Sequence, residues 1–131
     1  MLTLGIDTST MTGGAALVDD GGLVAAVTTN IRATHSERLL PSIADLLEGA
    51  GLTVEDIQAV AVITGPGSFT GLRIGLAAAK ALCYAREIPL VGITTFAALA
   101  REFLAFPGAV CPLIDARRGE VYAQALTAGK P

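Results

Sequence analysis

Gly65-Pro66-Gly67-Ser68-Phe69-Thr70-Gly71 brings three glycines and two hydroxyls together ahead of a long run of small and apolar residues. Backbone N–H groups at such a helix entrance can cradle an anion. A Walker-type phosphate loop needs Lys and then Ser or Thr directly after its last glycine, whereas Gly71 is followed by Leu72 and Arg73. The glycines are also spaced one residue too widely for a dinucleotide fingerprint. Gly65, Gly67 and Ser68 are therefore candidates for nucleotide or phosphate contact, against a purely structural corner in which Pro66 and the glycines serve the turn.

A second hydroxyl-rich stretch, Asp7-Thr8-Ser9-Thr10, precedes Gly13-Gly14 at the turn of a predicted hairpin. In actin-like ATPases an Asp and hydroxyls at this turn face the metal and the phosphates, which makes Asp7 and Ser9 candidates. The alternative is that Asp7 caps its own turn. Hydrolytic chemistry finds less support. Gly67 to Gly71 is not a GxSxG elbow, and His35, the single histidine, stands beside a helix start. One histidine and two distant cysteines do not make a zinc site. Cys83 and Cys111 read as buried small hydrophobes. Asp115-Ala116-Arg117-Arg118-Gly119-Glu120 gathers both signs of charge at a turn, either as a solvated tip or as a contact for nucleotide, RNA or a partner.

The elements that must position these residues follow from periodicity. Leu2 to Thr8, residues 14 to 19 and residues 23 to 31 read as three strands, the last two joined at Asp20-Gly21. Thr34 and Glu37 have capping-box spacing, and Leu39, Ile43, Leu46, Leu47 and Ala50 recur at helical intervals, giving a helix from about His35 to Glu48 that contains Pro41 and ends at Gly49 or Gly51. Val54 to Asp56 leads into a strand over Ile57 to Ile63. A second helix over residues 70 to 86 carries Arg73, Ala77, Lys80 and Tyr84 on one stripe. Gly71 and Gly75 on it are expected to let another helix approach. A short buried strand, Leu90 to Ile93, then precedes a helix capped at Thr94 or Thr95 with Phe96, Leu99 and Phe103 at core spacing. Ala109 to Asp115 and Glu120 to Leu126 form a last hairpin.

This order predicts an α/β fold of ribonuclease H-like type: a mixed five-stranded sheet with helices on both faces. Residues 1 to 106 form that lobe, and residues 107 to 131 read as the first hairpin of a second lobe, apparently truncated. With 131 residues, 52% of them apolar, the chain has more to bury than a small domain hides easily, so more chain or a partner is expected to cover part of it. A net charge of −3 argues against a self-sufficient nucleic-acid binder. The N-terminus reads as a first strand without a signal segment, and no run is long enough to span a membrane, which points to the cytoplasm.

Ile6-Asp7-Thr8-Ser9, Thr34-His35-Ser36-Glu37-Arg38-Leu39-Leu40-Pro41, Gly65 to Gly75 and Asp115 to Tyr122 together resemble the TsaB (YeaZ) family, in order and over nearly the whole chain. The resemblance implies the actin, sugar kinase and Hsp70 architecture. It also implies a non-catalytic scaffold that acts with a TsaD-like catalytic subunit and a TsaE-like ATPase to form N6-threonylcarbamoyladenosine at position 37 of tRNAs reading codons that begin with A. Where TsaD-like chains carry two metal-binding histidines, this chain has Thr95 and Leu99. No cofactor is then required, and nucleotide binding is weak at most. The tRNA is reached through the complex. The first two helices, with Leu39, Leu40, Ile43, Arg73, Leu76, Ala77, Lys80 and Tyr84, are expected to dock TsaD or, in its absence, a second copy. The competing expectation is a small actin-like ATPase or kinase using Asp7, Ser9 and the Gly65 to Gly71 loop.

Overall fold

The computed structural model describes residues 1–30, 35–103 and 105–127. Strands β1 (Thr3–Asp7), β2 (Thr12–Asp19) and β3 (Gly22–Asn30) form an antiparallel meander, followed by helix α1 (His35–Gly49) and strand β4 (Ala59–Gly65). Helix α2 (Phe69–Arg86), strand β5 (Leu90–Thr94) and the short helix α3 (Thr95–Ala100) complete the main unit. The sheet order is β3-β2-β1-β4-β5, with β4 parallel to β1 and β5 parallel to β4. This is the mixed five-stranded sheet that the pattern of elements predicts. Asp20-Gly21 makes the two-residue turn between the paired residues Asp19 and Gly22.

The sheet pairs its large side chains on one face. Leu4 lies opposite both Leu17 and Val60, and all three are fully buried. Leu39, Ile43, Leu46 and Leu47 of α1 join the same core, as do Ala79 and Cys83 of α2. Each such aliphatic side chain contributes about 1.5–3 kcal/mol on burial. The opposite face is built of small residues, Gly5, Ala16, Ala26 and Ala61. With Ile63 of β4, Ile93 of β5 and Ala98 of α3 they line an open groove of about 450 Å³.

Local chemistry sets where the elements stop. Gly51 takes φ +69, while the Leu52 N–H reaches the carbonyl of Leu47 and the Gly51 N–H that of Glu48. This is the Schellman pattern, and it selects Gly51 rather than Gly49 as the residue past the end of α1. Pro41 lies inside α1; the Thr34 cap falls outside the described residues. Thr53 and Asp56 bound a turn of 3₁₀ helix, Val54–Asp56. Its carboxylate accepts hydrogen bonds from the Thr53 N–H (2.7 Å) and hydroxyl (3.0 Å). These bonds hold the Asp56 carboxyl below its usual range. β4 begins two residues later than Ile57 and runs on to Gly65.

Three expectations are corrected. β5 is an edge strand, not a buried one: among the described residues it pairs with β4 alone, and Val91 and Gly92 are exposed. Leu99 and Phe103 are also exposed, because α3 lasts six residues and gives way to a 3₁₀ turn, Arg101–Phe103. Cys83 is buried, and burial pushes its thiol pKa up, whereas Cys111 is exposed between two strands.

Beyond the sheet, strands β6 (Ala109–Val110) and β9 (Leu126–Thr127) pair, as do β7 (Leu113–Arg117) and β8 (Glu120–Ala123). The expected last hairpin is thus two short ladders with a break between them.

Candidate functional site

Two surfaces are built around α2. The first lies at its N-terminus. Ser68 caps the helix, its hydroxyl accepting from the Gly71 N–H at 3.2 Å. The preceding Gly65-Pro66 bond is cis, and Gly65 sits at φ +106. The Ser68 N–H donates to the carbonyl oxygen of Ser9 at 2.6 Å. A Cβ on Gly67 would lie 2.5 Å from the carbonyl oxygen of Ser9, so the two loops meet backbone to backbone. Thr95 ties α3 to the same corner through a 2.7 Å bond from its hydroxyl to the Pro66 carbonyl.

Ser9, Gly67, Ser68, Phe69, Arg117 and Tyr122 line a cavity of about 610 Å³ between this corner and the β7–β8 hairpin. The Ser9 side-chain oxygen is buried without a hydrogen-bond partner among the described residues. Asp7 does not join it: its carboxylate accepts the Ser9 N–H at 2.8 Å and borders the groove on the small-residue face of the sheet. Asp7 therefore caps its own turn, the plainer of its two sequence readings. Gly65 lies against Leu72 rather than on the cavity wall. Arg117 and Tyr122 come from a turn whose charges were legible but whose approach to Ser9 depends on the fold.

The second surface is the outward side of α1 and α2. On α2, Arg73, Ala77, Lys80, Ala81 and Tyr84 are exposed, with Tyr84 90% so. Gly71, Gly75, Ala79 and Cys83 form the opposite, buried stripe. α1 packs beside α2 and exposes Leu40, Ala44, Asp45 and Glu48. Leu39 and Ile43, expected on the docking face, are instead core residues, each 6% exposed, and Leu76 is half-buried against that core. Gly71 and Gly75 do not receive another helix. A Cβ on Gly71 would overlap the carbonyl oxygen of Thr8, and one on Gly75 its hydroxyl, so both glycines seat α2 on the end of β1. Ala44 and Ala81 are additions that exposure reveals; their helical spacing from Leu40 and Ala77 was the available signal.

The family model for TsaD, tRNA N6-adenosine threonylcarbamoyltransferase, matches residues 19–129. The chain belongs to the TsaD family. Curated relatives include TsaB proteins. The chain is 38% identical over 122 residues to the Bacillus subtilis tRNA threonylcarbamoyladenosine biosynthesis protein TsaB, and 41% identical over 124 residues to the Escherichia coli protein of that name. Each alignment covers 93% of this chain and 53% of the relative, so the chain spans about half the length of these TsaB proteins. The solved structure of YeaZ from Pseudomonas aeruginosa superimposes with a TM-score of 0.86 at 34% identity, over 96% of this chain and 60% of that one. RuvC of T. thermophilus, at 15% identity and a TM-score of 0.52, shares the ribonuclease H-like fold. Among the described residues no helix is long and apolar enough to cross a membrane.

Proposed function

We propose that this chain is a cytoplasmic, non-catalytic docking subunit in the formation of N6-threonylcarbamoyladenosine on tRNA. It engages a TsaD-like catalytic subunit through the outward sides of α1 and α2, or a second copy when that subunit is absent. A TsaE-like ATPase joins the pair, and tRNA is reached through the assembly. The observation that carries this reading is the exposed stripe of α2. The 18-residue helix presents Ala77, Ala81 and a 90% exposed Tyr84 between Arg73 and Arg86 on its outward side, with Lys80 on the same stripe, and its small residues permit close helix packing. Thr95 and Leu99 support the non-catalytic part: the Thr95 hydroxyl is engaged by Pro66, and Leu99 is aliphatic, so neither offers a metal an imidazole.

Co-purification with a TsaD-like and a TsaE-like subunit, with and without ATP and followed by native mass, tests the reading. A stoichiometric complex, with no ATP turnover by this chain alone, is expected. A chain that stays apart from the TsaD-like subunit overturns it.

Ser9 favours a second reading, weak nucleotide binding in the 610 Å³ cavity. Its unpartnered hydroxyl and the first N–H groups of α2 fit a phosphate group. Asp7 accepts the Ser9 N–H on one carboxylate oxygen and borders the sheet groove rather than this cavity. Titration with ATP tests binding, and sustained hydrolysis would favour the ATPase over the docking subunit.

A further inference from the structure

Between α1 and α2 the outward surface is not flat. A crevice of about 170 Å³ opens there, floored by Ile6 and walled by Leu40, Ile43 and Ala44 of α1 and by Ala78 and Leu82 of α2. Every described residue that lines it is apolar. It exists because Ala44 and Ala78 leave space where larger side chains would close the helix seam. An apolar cavity of about 150 Å³ is enough to admit a benzene ring. A void of this size in a docking face forfeits packing until a side chain fills it.

We infer that this crevice is the receptor for the ring of Tyr84 from a second copy of the chain. The inference rests on the docking reading above and assigns that surface its anchor. Among the described residues Tyr84 is the most exposed large hydrophobic side chain on the two helices, and it stands on the outward stripe of α2. Phe69, also exposed, is covered by the Arg73 guanidinium 4.2 Å from its ring centre and borders the other cavity. A tyrosine suits the crevice because its ring is buried while its hydroxyl stays at the wet rim. Buried aromatic anchors of this kind carry most of an interface's affinity.

The charges of the two helices complement each other across a second copy. The outward side of α2 carries Arg73 and Lys80, while that of α1 carries Asp45 and Glu48, with Arg38 at the far end of α1. A two-fold arrangement that lays α2 of one copy over α1 of the other brings opposite charges together, whereas α2 laid along α2 brings like charges together. The same operation fills both crevices at once, since an isologous contact is made twice.

Sedimentation equilibrium of the full chain tests the assignment, with the melting temperature recorded for every variant. Tyr84→Ala should weaken the dimer at least tenfold, and Tyr84→Phe should keep it. Ala44→Leu, which fills the crevice from its exposed rim, should weaken the dimer as much as Tyr84→Ala while the melting temperature holds or rises. Ala78→Leu serves as a second filling variant. Tyr84→Ala combined with Ala44→Leu should be no weaker than either change alone, because both remove one contact. Wild-type affinity in both filling variants, or additive losses in the double variant, overturns the assignment, as does a wild-type chain that stays monomeric at every concentration. Ala77→Arg separates the two levels. If it abolishes the dimer while Tyr84→Ala and Ala44→Leu do not, the receptor assignment alone falls. If Ala77→Arg also leaves the dimer intact, the docking reading falls with it.

Discussion

The Thr8 hydroxyl donates a 2.7 Å hydrogen bond to the carbonyl oxygen of Gly71, where the chain leaves β1 and α2 begins. The bond is buried, and it forms because Gly71 and Gly75 have no side chains to hold the helix away. The glycine-rich start of α2 is thus first a device for seating a helix on its own sheet, and the outward stripe follows from that seating.

Gly71→Ala should accordingly destabilise the fold by about 3 kcal/mol or more, because its methyl meets backbone that cannot retreat. Gly49→Ala is the control. Nothing lies within 4 Å of a Cβ there, so it should be neutral or stabilising by about 0.4–1 kcal/mol. Urea denaturation of the two variants beside the parent checks the contrast.

Ala77→Arg should leave the urea midpoint within about 0.5 kcal/mol of the parent, since Ala77 is exposed on α2. It should reduce association with a TsaD-like subunit at least tenfold and abolish support of tRNA modification. Leu76→Glu is a poorer probe, because Leu76 packs against the core and its loss mixes folding with docking. Affinity measured beside stability separates the two.

What the sequence made legible was the order of elements and the direction of each periodic stripe. The strand ranges were read from the pattern, whereas the shared burial of Leu4, Leu17 and Val60 came with the sheet pairing; the seven- and four-residue spacings of Arg73, Lys80 and Tyr84 gave one stripe, which lies outward on α2. Periodicity does not say what lies against a stripe. For that reason Leu39 and Ile43 were expected at an interface and lie in the core, while Gly71 and Gly75 were expected to face another helix and face Thr8. Leu99 and Phe103 had core spacing on a helix that ends too early to use it.

The two thiols should separate under alkylation. Cys111 is exposed and should react with iodoacetamide at mildly alkaline pH within minutes. Cys83 is buried, with a raised pKa from desolvation, and should react only as the chain unfolds. Mass spectrometry of the native protein should show one label, and of the denatured protein two.

Acid should weaken the start of β4. The Asp56 carboxyl is held below its usual range mainly by the Thr53 backbone N–H, with the Thr53 hydroxyl adding to it. A depressed folded-state pKa gives stability that is present above the unfolded value, about 3.9, and lost as pH falls through the folded one. Stability should therefore drop below about pH 4. Asp56→Asn should flatten that part of the profile while lowering stability at pH 7. Thermal melts of both proteins from pH 2.5 to 7 read the difference.

Ser9→Ala addresses the cavity without disturbing the corner that frames it. The Ser9 backbone makes the structural contacts, accepting from the Ser68 N–H and donating to Asp7, and alanine keeps both. The Ser9 hydroxyl is buried with no partner among the described residues, a cost of about 1–3 kcal/mol that alanine removes. The variant should be at least as stable as the parent. If the cavity binds nucleotide, ATP should raise the parent's melting temperature and raise that of Ser9→Ala less. An equal shift in both would place the phosphates elsewhere, and no shift in the parent would leave the hydroxyl without a nucleotide role. Loss of stability in Ser9→Ala would show that the hydroxyl already has a partner such as a bound water, and that the cavity is a packed corner rather than a binding site.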